Sequence, residues 1–151
     1  MVNLANFRPR RPLIPCGWEE RHAPILDGSR TAIVELWSGP ADGTPEWVYD
    51  PTTKAEVRNH GTRLHADGTI TARIQRLGTG TETEAGAQDV TIRTYLIALP
   101  RHISDGLTPH ARVHVTEIND DHMQGRWLQV IDIQGGSLRF ERHLIALDNL
   151  G

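Results

Sequence analysis

The chain has 151 residues, 38% of them hydrophobic and 5% aromatic, with 16 basic against 19 acidic side chains and a formal net charge of −3 at pH 7. One domain of that length buries a core without staples, and a mildly negative balance argues against a surface that grips nucleic acid broadly. The single cysteine, Cys16, excludes an internal disulfide framework and a cysteine-based zinc site, and no apolar run approaches the length of a membrane-spanning helix.

Residues 1–17 hold Pro9, Pro12 and Pro15, the basic trio Arg8, Arg10 and Arg11, and the apolar Phe7, Leu13 and Ile14. Prolines at that density oppose regular helix and favour extended backbone. No long apolar stretch follows the charges, so no signal peptide is expected and the chain reads as a soluble protein made in a reducing cytoplasm. The segment is too apolar for a plain solvated tail. It is expected to be an extended inter-subunit arm, with Phe7, Arg8, Arg10, Arg11, Leu13 and Ile14 as its contact residues; a disordered terminus is the alternative.

Residues 18–26 (WEERHAPIL) are expected to form a short helix, with Glu19 and Glu20 near its positive end. Pro24 is expected to disrupt its last turn, and Asp27-Gly28 to end it. Residues 31–37 (TAIVELW) are β-branched and read as a strand. Residues 38–68 are punctuated by Gly39-Pro40, Asp42-Gly43, Asp50-Pro51, Asn59-His60-Gly61 and Asp67-Gly68, with room for a short strand over 46–49.

From residue 69 the alternation is clean. In 69–77 (TITARIQRL), Ile70, Ala72 and Ile74 face one way and Thr71, Arg73 and Gln75 the other. Residues 78–89 (GTGTETEAGAQD) contain no large apolar side chain, so they are expected to be an exposed, flexible loop carrying Glu82, Glu84 and Asp89. Residues 90–99 (VTIRTYLIAL) form the longest strand candidate, ended by Pro100. A connection over 101–110 leads to a strand at 111–118, with Val113 and Val115 inward and Arg112, His114 and Thr116 outward. A turn over 119–125, a strand at 126–133, a tight Gln134-Gly135-Gly136 turn and a final strand at 137–146 complete the chain.

About six strands with little helix predict an all-β fold. The expected form is a small antiparallel β-barrel over 18–151, with a short N-terminal helix, the Pro-rich arm 1–17 and the long inter-strand loop 78–89. A barrel removes exposed edges that would otherwise template aggregation.

Motifs for chemistry are sparse. Among eight histidines, His110 and His114 have a zinc spacing only on a helix. On a strand they lie about 13 Å apart, so no metal and no cofactor is expected. Asp120-Asp121 lacks the spaced acids of a calcium loop. No nucleophile elbow, phosphate loop or dinucleotide fingerprint occurs, and the expectation is a non-enzymatic protein. Fifteen arginines stand against one lysine, Lys54; a GC-rich genome accounts for that bias, and bidentate pairing with carboxylates at interfaces is the functional alternative. The second functional class is an oligonucleotide-binding barrel. It would stack bases on Trp37, Tyr95, Trp127 and Phe140 beside Arg73, Arg93, Arg112, Arg139 and Arg142.

The order of the parts from Thr69 onward resembles the head-to-tail stopper (head-completion) proteins of long-tailed bacteriophages. The residues that carry it are a strand ending ARIQ (72–75), a loop, and a strand ending Leu99-Pro100. VHVT (113–116), an Asn-Asp-Asp turn before Gly125, WLQVIDI (127–133) and a last strand bearing Arg139 and Arg142 follow. WEERHAPIL is similar to the family's N-terminal segment.

The resemblance implies a virion neck protein assembled in the host cytoplasm. Six or twelve copies would form a ring between the portal-bound adaptor and the tail terminator or tail tube protein. The ring would close the channel and dock the tail, with genomic DNA passing through without sequence-specific binding and no membrane involved. A tail-terminator or tail-completion ring is the alternative in that class. In such a ring Arg112, Arg139 and Arg142 are candidate interface residues of the strand faces. Glu82, Glu84 and Asp89, pointed into the channel, would repel DNA phosphates.

Overall fold

Period-two alternation builds the molecule. The computed structural model describes residues 17–77, 81–85, 88–103, 106–135 and 141–150. The helix α1 (Trp18–Ser29) precedes β1 (Ala32–Trp37), β2 (Trp47–Asp50), β3 (Ala55–Arg58), β4 (Arg63–Leu64) and β5 (Ile70–Arg76). β6 (Thr81–Ala85), β7 (Gln88–Pro100), β8 (Arg112–Glu117), β9 (Trp127–Gln134) and β10 (Glu141–Asp148) follow. The strands β10-β9-β8-β1-β5-β7 run antiparallel in that order, and β7 pairs back onto β10 to close a six-strand barrel. The all-β barrel with one short helix near its N-terminus is as the alternation predicted.

Every second residue of these strands points inward. Val34 and Leu36, Ile70 and Ala72, Ile97 and Leu99, Val113 and Val115, Leu128 and Val130, and Leu144 and Ala146 fill the interior. Each large aliphatic side chain so buried stabilises the fold by about 1.5–3 kcal/mol relative to exposure. The register gives the barrel two ends. Trp37 lies opposite Arg112 at one, and Ile33 opposite Glu117 at the other. β5 overruns β1 at the second end, where Arg76 pairs with Tyr95 of β7.

α1 is longer than expected, running through Pro24 to Ser29. Proline removes only one N–H donor, and contacts on both sides hold the helix. His22 stacks on Trp18 with centroids 4.0 Å apart, and its Nδ1–H donates to the Trp18 carbonyl at 2.8 Å. At the other end Arg73 donates to Ser29 Oγ at 3.1 Å, and Arg30, just past the helix, pairs with Asp27. Arg30 and Arg73 also converge on Glu141 at 3.6 and 3.5 Å; the carboxylate is 6% exposed, so this is a buried charge cluster joining the helix to β10.

The expected flexible loop at 78–89 requires correction. Residues 81–85 form β6, laddered on β7 from Thr81 opposite Ile92 to Ala85 opposite Gln88. Glu82 and Glu84 therefore lie on β6, and Asp89 on β7 opposite Glu84. A polar Thr-Glu repeat needs no core to be a strand when a neighbour satisfies its backbone groups. The arm residues Phe7, Arg8, Arg10, Arg11, Leu13 and Ile14, together with Arg139 and Phe140, lie outside the described residues.

Candidate functional site

β1 leaves the barrel at Trp37, and the chain returns at β4, where Arg63 sits opposite Trp37. The excursion between them is a neck followed by a hairpin. Its neck is closed by Ser38 N–H donating to the Thr62 carbonyl at 2.9 Å and Gly39 N–H to the His60 carbonyl at 3.0 Å. Gly61 has a φ of 79°, and a Cβ there would overlap the Gly39 carbonyl oxygen. Only glycine permits that backbone contact.

Arg112, at the first position of β8, is the hub of the excursion. Its Nη1 donates to the Asn59 carbonyl at 2.9 Å and to His60 Nδ1 at 3.1 Å. Its Nη2 donates to Glu46 Oε1 at 3.0 Å. The same Glu46 oxygen accepts from Arg58 Nη1 at 2.8 Å, and the Arg58 guanidinium lies 4.7 Å from the centre of the Trp47 ring. One guanidinium thus binds both legs of the excursion to the barrel. A guanidinium only donates, so Nδ1 of His60 is the acceptor and the neutral ring carries its proton on Nε2. Burial, with the positive charge of Arg112 and Arg58 close by, pushes the His60 imidazole down to about 4.

Beside the hub stands an aromatic stack. His60 lies on Trp127 with centroids 3.5 Å apart, and His114 lies on it at 4.3 Å. Two imidazoles that close to one centroid cannot share a face without overlap, so they cover opposite faces of the indole. Trp37 meets Trp127 edge-on at 5.6 Å. Glu35 completes the cluster by accepting from His114 Nδ1 at 3.3 Å and Trp37 Nε1 at 3.4 Å, with Arg63 at 3.4 Å. Burial raises the Glu35 pKa, but the His114 and Trp37 bonds and the Arg63 charge outweigh it, leaving the carboxyl below its ordinary value. Among the described residues no hydroxyl or thiol bonds His114, and no group of three potential metal ligands forms.

The anchored hairpin presents an unfinished surface. β2 and β3 pair with each other, Val48 opposite Val57 and Tyr49 opposite Glu56. Trp47, Val48, Tyr49 and Val57 are between 43% and 61% exposed, on strands that share no ladder with the barrel. The expected short strand at 46–49 is therefore half of a hairpin whose other half, AEVR, was not anticipated.

Arg112, expected outward and as a ring-interface residue, is instead covered within its own chain. Alternation does point it away from the barrel interior, but the excursion covers it to 4% exposure and its Nη donors are committed within the chain. Arg142 is half-buried on β10, and its Nε has no hydrogen-bond partner among the described residues. Of the proposed base-stacking aromatics, Tyr95 is buried at 6% exposure and both faces of Trp127 are occupied. Period two placed His114 on the outer face; Glu35 and Trp37 share that outer side of β1, and nothing in the sequence signalled that His60 would close over Trp127.

The chain belongs to a family of unknown function (DUF6093), whose model matches residues 22–146. That span contains the whole excursion and most of the barrel. No curated protein and no solved structure matches the chain.

Proposed function

We propose that this member of a family without an assigned activity is a structural subunit of a tailed-phage virion, a head-to-tail stopper. In this reading, six or twelve copies form a ring between the portal-bound adaptor and the tail, close the DNA channel and dock the tail. The carrying observation is a closed barrel whose Arg112 and Trp127 hold a hairpin with exposed apolar side chains in water. A free monomer gains nothing from exposing Trp47, Val48, Tyr49 and Val57 together. Clustered exposed apolar side chains mark contact surfaces, and a buried arginine is devoted to orienting this one. The motif order from Thr69 onward supplies the kind of assembly. Glu82, Glu84 and Asp89 on the β6–β7 ladder are the candidates for the channel lining, where carboxylates repel DNA phosphates.

The test is a cryo-EM reconstruction of the neck of the virus that encodes the chain. A ring of this barrel between the adaptor and the first tail layer is the expected result. The same barrel capping the tail beneath a different ring would make it a terminator. Absence of the chain from the particle would overturn the reading.

A further inference from the structure

We propose that the β2–β3 hairpin of one copy seats in a cavity at the far end of the barrel of the next copy. This rests on the reading of the chain as an assembly subunit and names the partner of its hairpin, a second copy of itself.

The cavity measures about 520 Å³ and lies at the end of the barrel where β5 and β7 overrun β1. Ile74, Tyr95 and Met123 contribute apolar surface, and Arg76, Arg93 and Arg126 bring three guanidiniums to its lining. Arg126 is paired with Asp148 at 2.7 Å. Arg76 and Arg93 are exposed and make no ion pair among the described residues. Asp120 is the one carboxylate on the lining, and it accepts the His122 backbone N–H at 3.0 Å. The result is a cavity of mixed lining, with apolar surface beside two cations that have no ion pair among the described residues, a volume and chemistry suited to an aromatic group next to a carboxylate.

The hairpin carries that pair. Tyr49 and Glu56 are directly opposite in the ladder and so share one face. Tyr49 is 61% exposed, and Glu56 is exposed without an ion pair among the described residues. The nearby Arg58 and Glu46 are already satisfied by each other and by Arg112.

The two surfaces sit at opposite ends of one molecule. The hairpin leaves beside Trp37 and Arg112, and the cavity opens beyond Glu117, at Ile118. The length of β8 between them is roughly 17–20 Å at about 3.3 Å per residue. The hairpin leaves from the end away from its own cavity, and the natural recipient is the cavity of another copy. Because the two patches differ, the interface is heterologous and repeats head to tail, the geometry from which rings close.

The test replaces Tyr49 with p-benzoylphenylalanine in the full chain. Irradiation is carried out in virions and in the concentrated purified protein, and the crosslinks are mapped by mass spectrometry. Intermolecular crosslinks to Met123 or Ile74 are expected. Glu56→Arg and Arg93→Glu should each remove most of the crosslink, and the two together should restore it. Crosslinks to another protein, crosslinks elsewhere on this chain, no crosslink in virions that contain the chain, or failure of the charge exchange to rescue would each overturn the proposal. The two readings separate cleanly. A neck ring whose hairpin crosslinks to a different protein sinks this inference and leaves the stopper. Hairpin-to-cavity crosslinks between copies of a chain absent from virions support this inference and sink the stopper.

Discussion

The imidazole of His60 lies flat on the indole of Trp127, 3.5 Å between centroids with the planes 1° apart. His60 belongs to the excursion and Trp127 to the barrel wall, so this contact and the Arg112 hub hold the hairpin at two separate points. The direction in which the hairpin leaves the barrel is thereby set within a single chain, before any partner arrives.

Removing the hub should loosen the hairpin and leave the barrel closed. Arg112→Met leaves the Asn59 carbonyl, His60 Nδ1 and one Glu46 interaction without their donor. A loss of about 1–3 kcal/mol is expected from stranded partners, or about 2–4 °C of melting temperature per kcal/mol in a domain of this size. Hydrogen exchange should accelerate over β2 and β3 and stay slow over the β7–β10 seam. Uniform acceleration would show that Arg112 supports the barrel instead.

The His60 site predicts a one-sided pH dependence. Its pKa in the folded chain is about 4 against an ordinary 6.5. Below pH 6.5 the unfolded chain takes up a proton that the folded chain refuses until about pH 4. Stability from this site is therefore complete above 6.5 and falls as the pH drops from 6.5 to 4. Arg112, Arg58, His114 and Glu46 are the charged or titratable groups that act on it. Urea midpoints measured across that window should slope less for His60→Gln than for the parent. An NMR titration placing His60 near its ordinary value would refute the assignment.

Two glycines of similar backbone conformation should respond differently to alanine. Gly61 and Gly43 have φ of 79° and 80°, but a Cβ at Gly61 meets the Gly39 carbonyl while one at Gly43 meets open space. Gly43→Ala should cost only the left-handed penalty, about 1–2 kcal/mol. Gly61→Ala must also part the neck, so its melting temperature should fall further. Equal shifts in thermal melts would mean that the neck opens without penalty.

Glu141→Ala leaves the guanidiniums of Arg30 and Arg73 facing each other, Arg30 with a side chain 6% exposed. Breaking a buried pair by removing one partner typically costs about 3–5 kcal/mol. The denaturant midpoint should fall with the slope of the transition unchanged, since the same surface unfolds.

The barrel was legible because its strands are half-buried. Val113 and Val115, Leu128 and Val130, and Ile70 and Ala72 announce an inner face by alternation alone. β3 and β6 were not: AEVR alternates over only four residues inside a turn-rich segment, and TETEA has no large apolar side chain to mark an inner face. The site was half legible. Glu35, Trp37 and His114 fell on the outer face as the period requires, whereas the burial of Arg112 depends on a turn-rich segment folding back over it. That is a tertiary contact between residues more than fifty positions apart, and local pattern does not encode it.

β7 is one unbroken strand of 13 residues with two duties. Residues 88–92 ladder with β6, and residues 93–100 ladder with β10 to close the barrel. The β6–β7 ladder and the closing seam thus share a single backbone. A load on β6 therefore reaches the seam through the same strand. The β6–β7 ladder is in this sense a lever whose fulcrum is the closure of the barrel itself. Anything that pushes the lever and anything that tightens the seam act on the same row of hydrogen bonds.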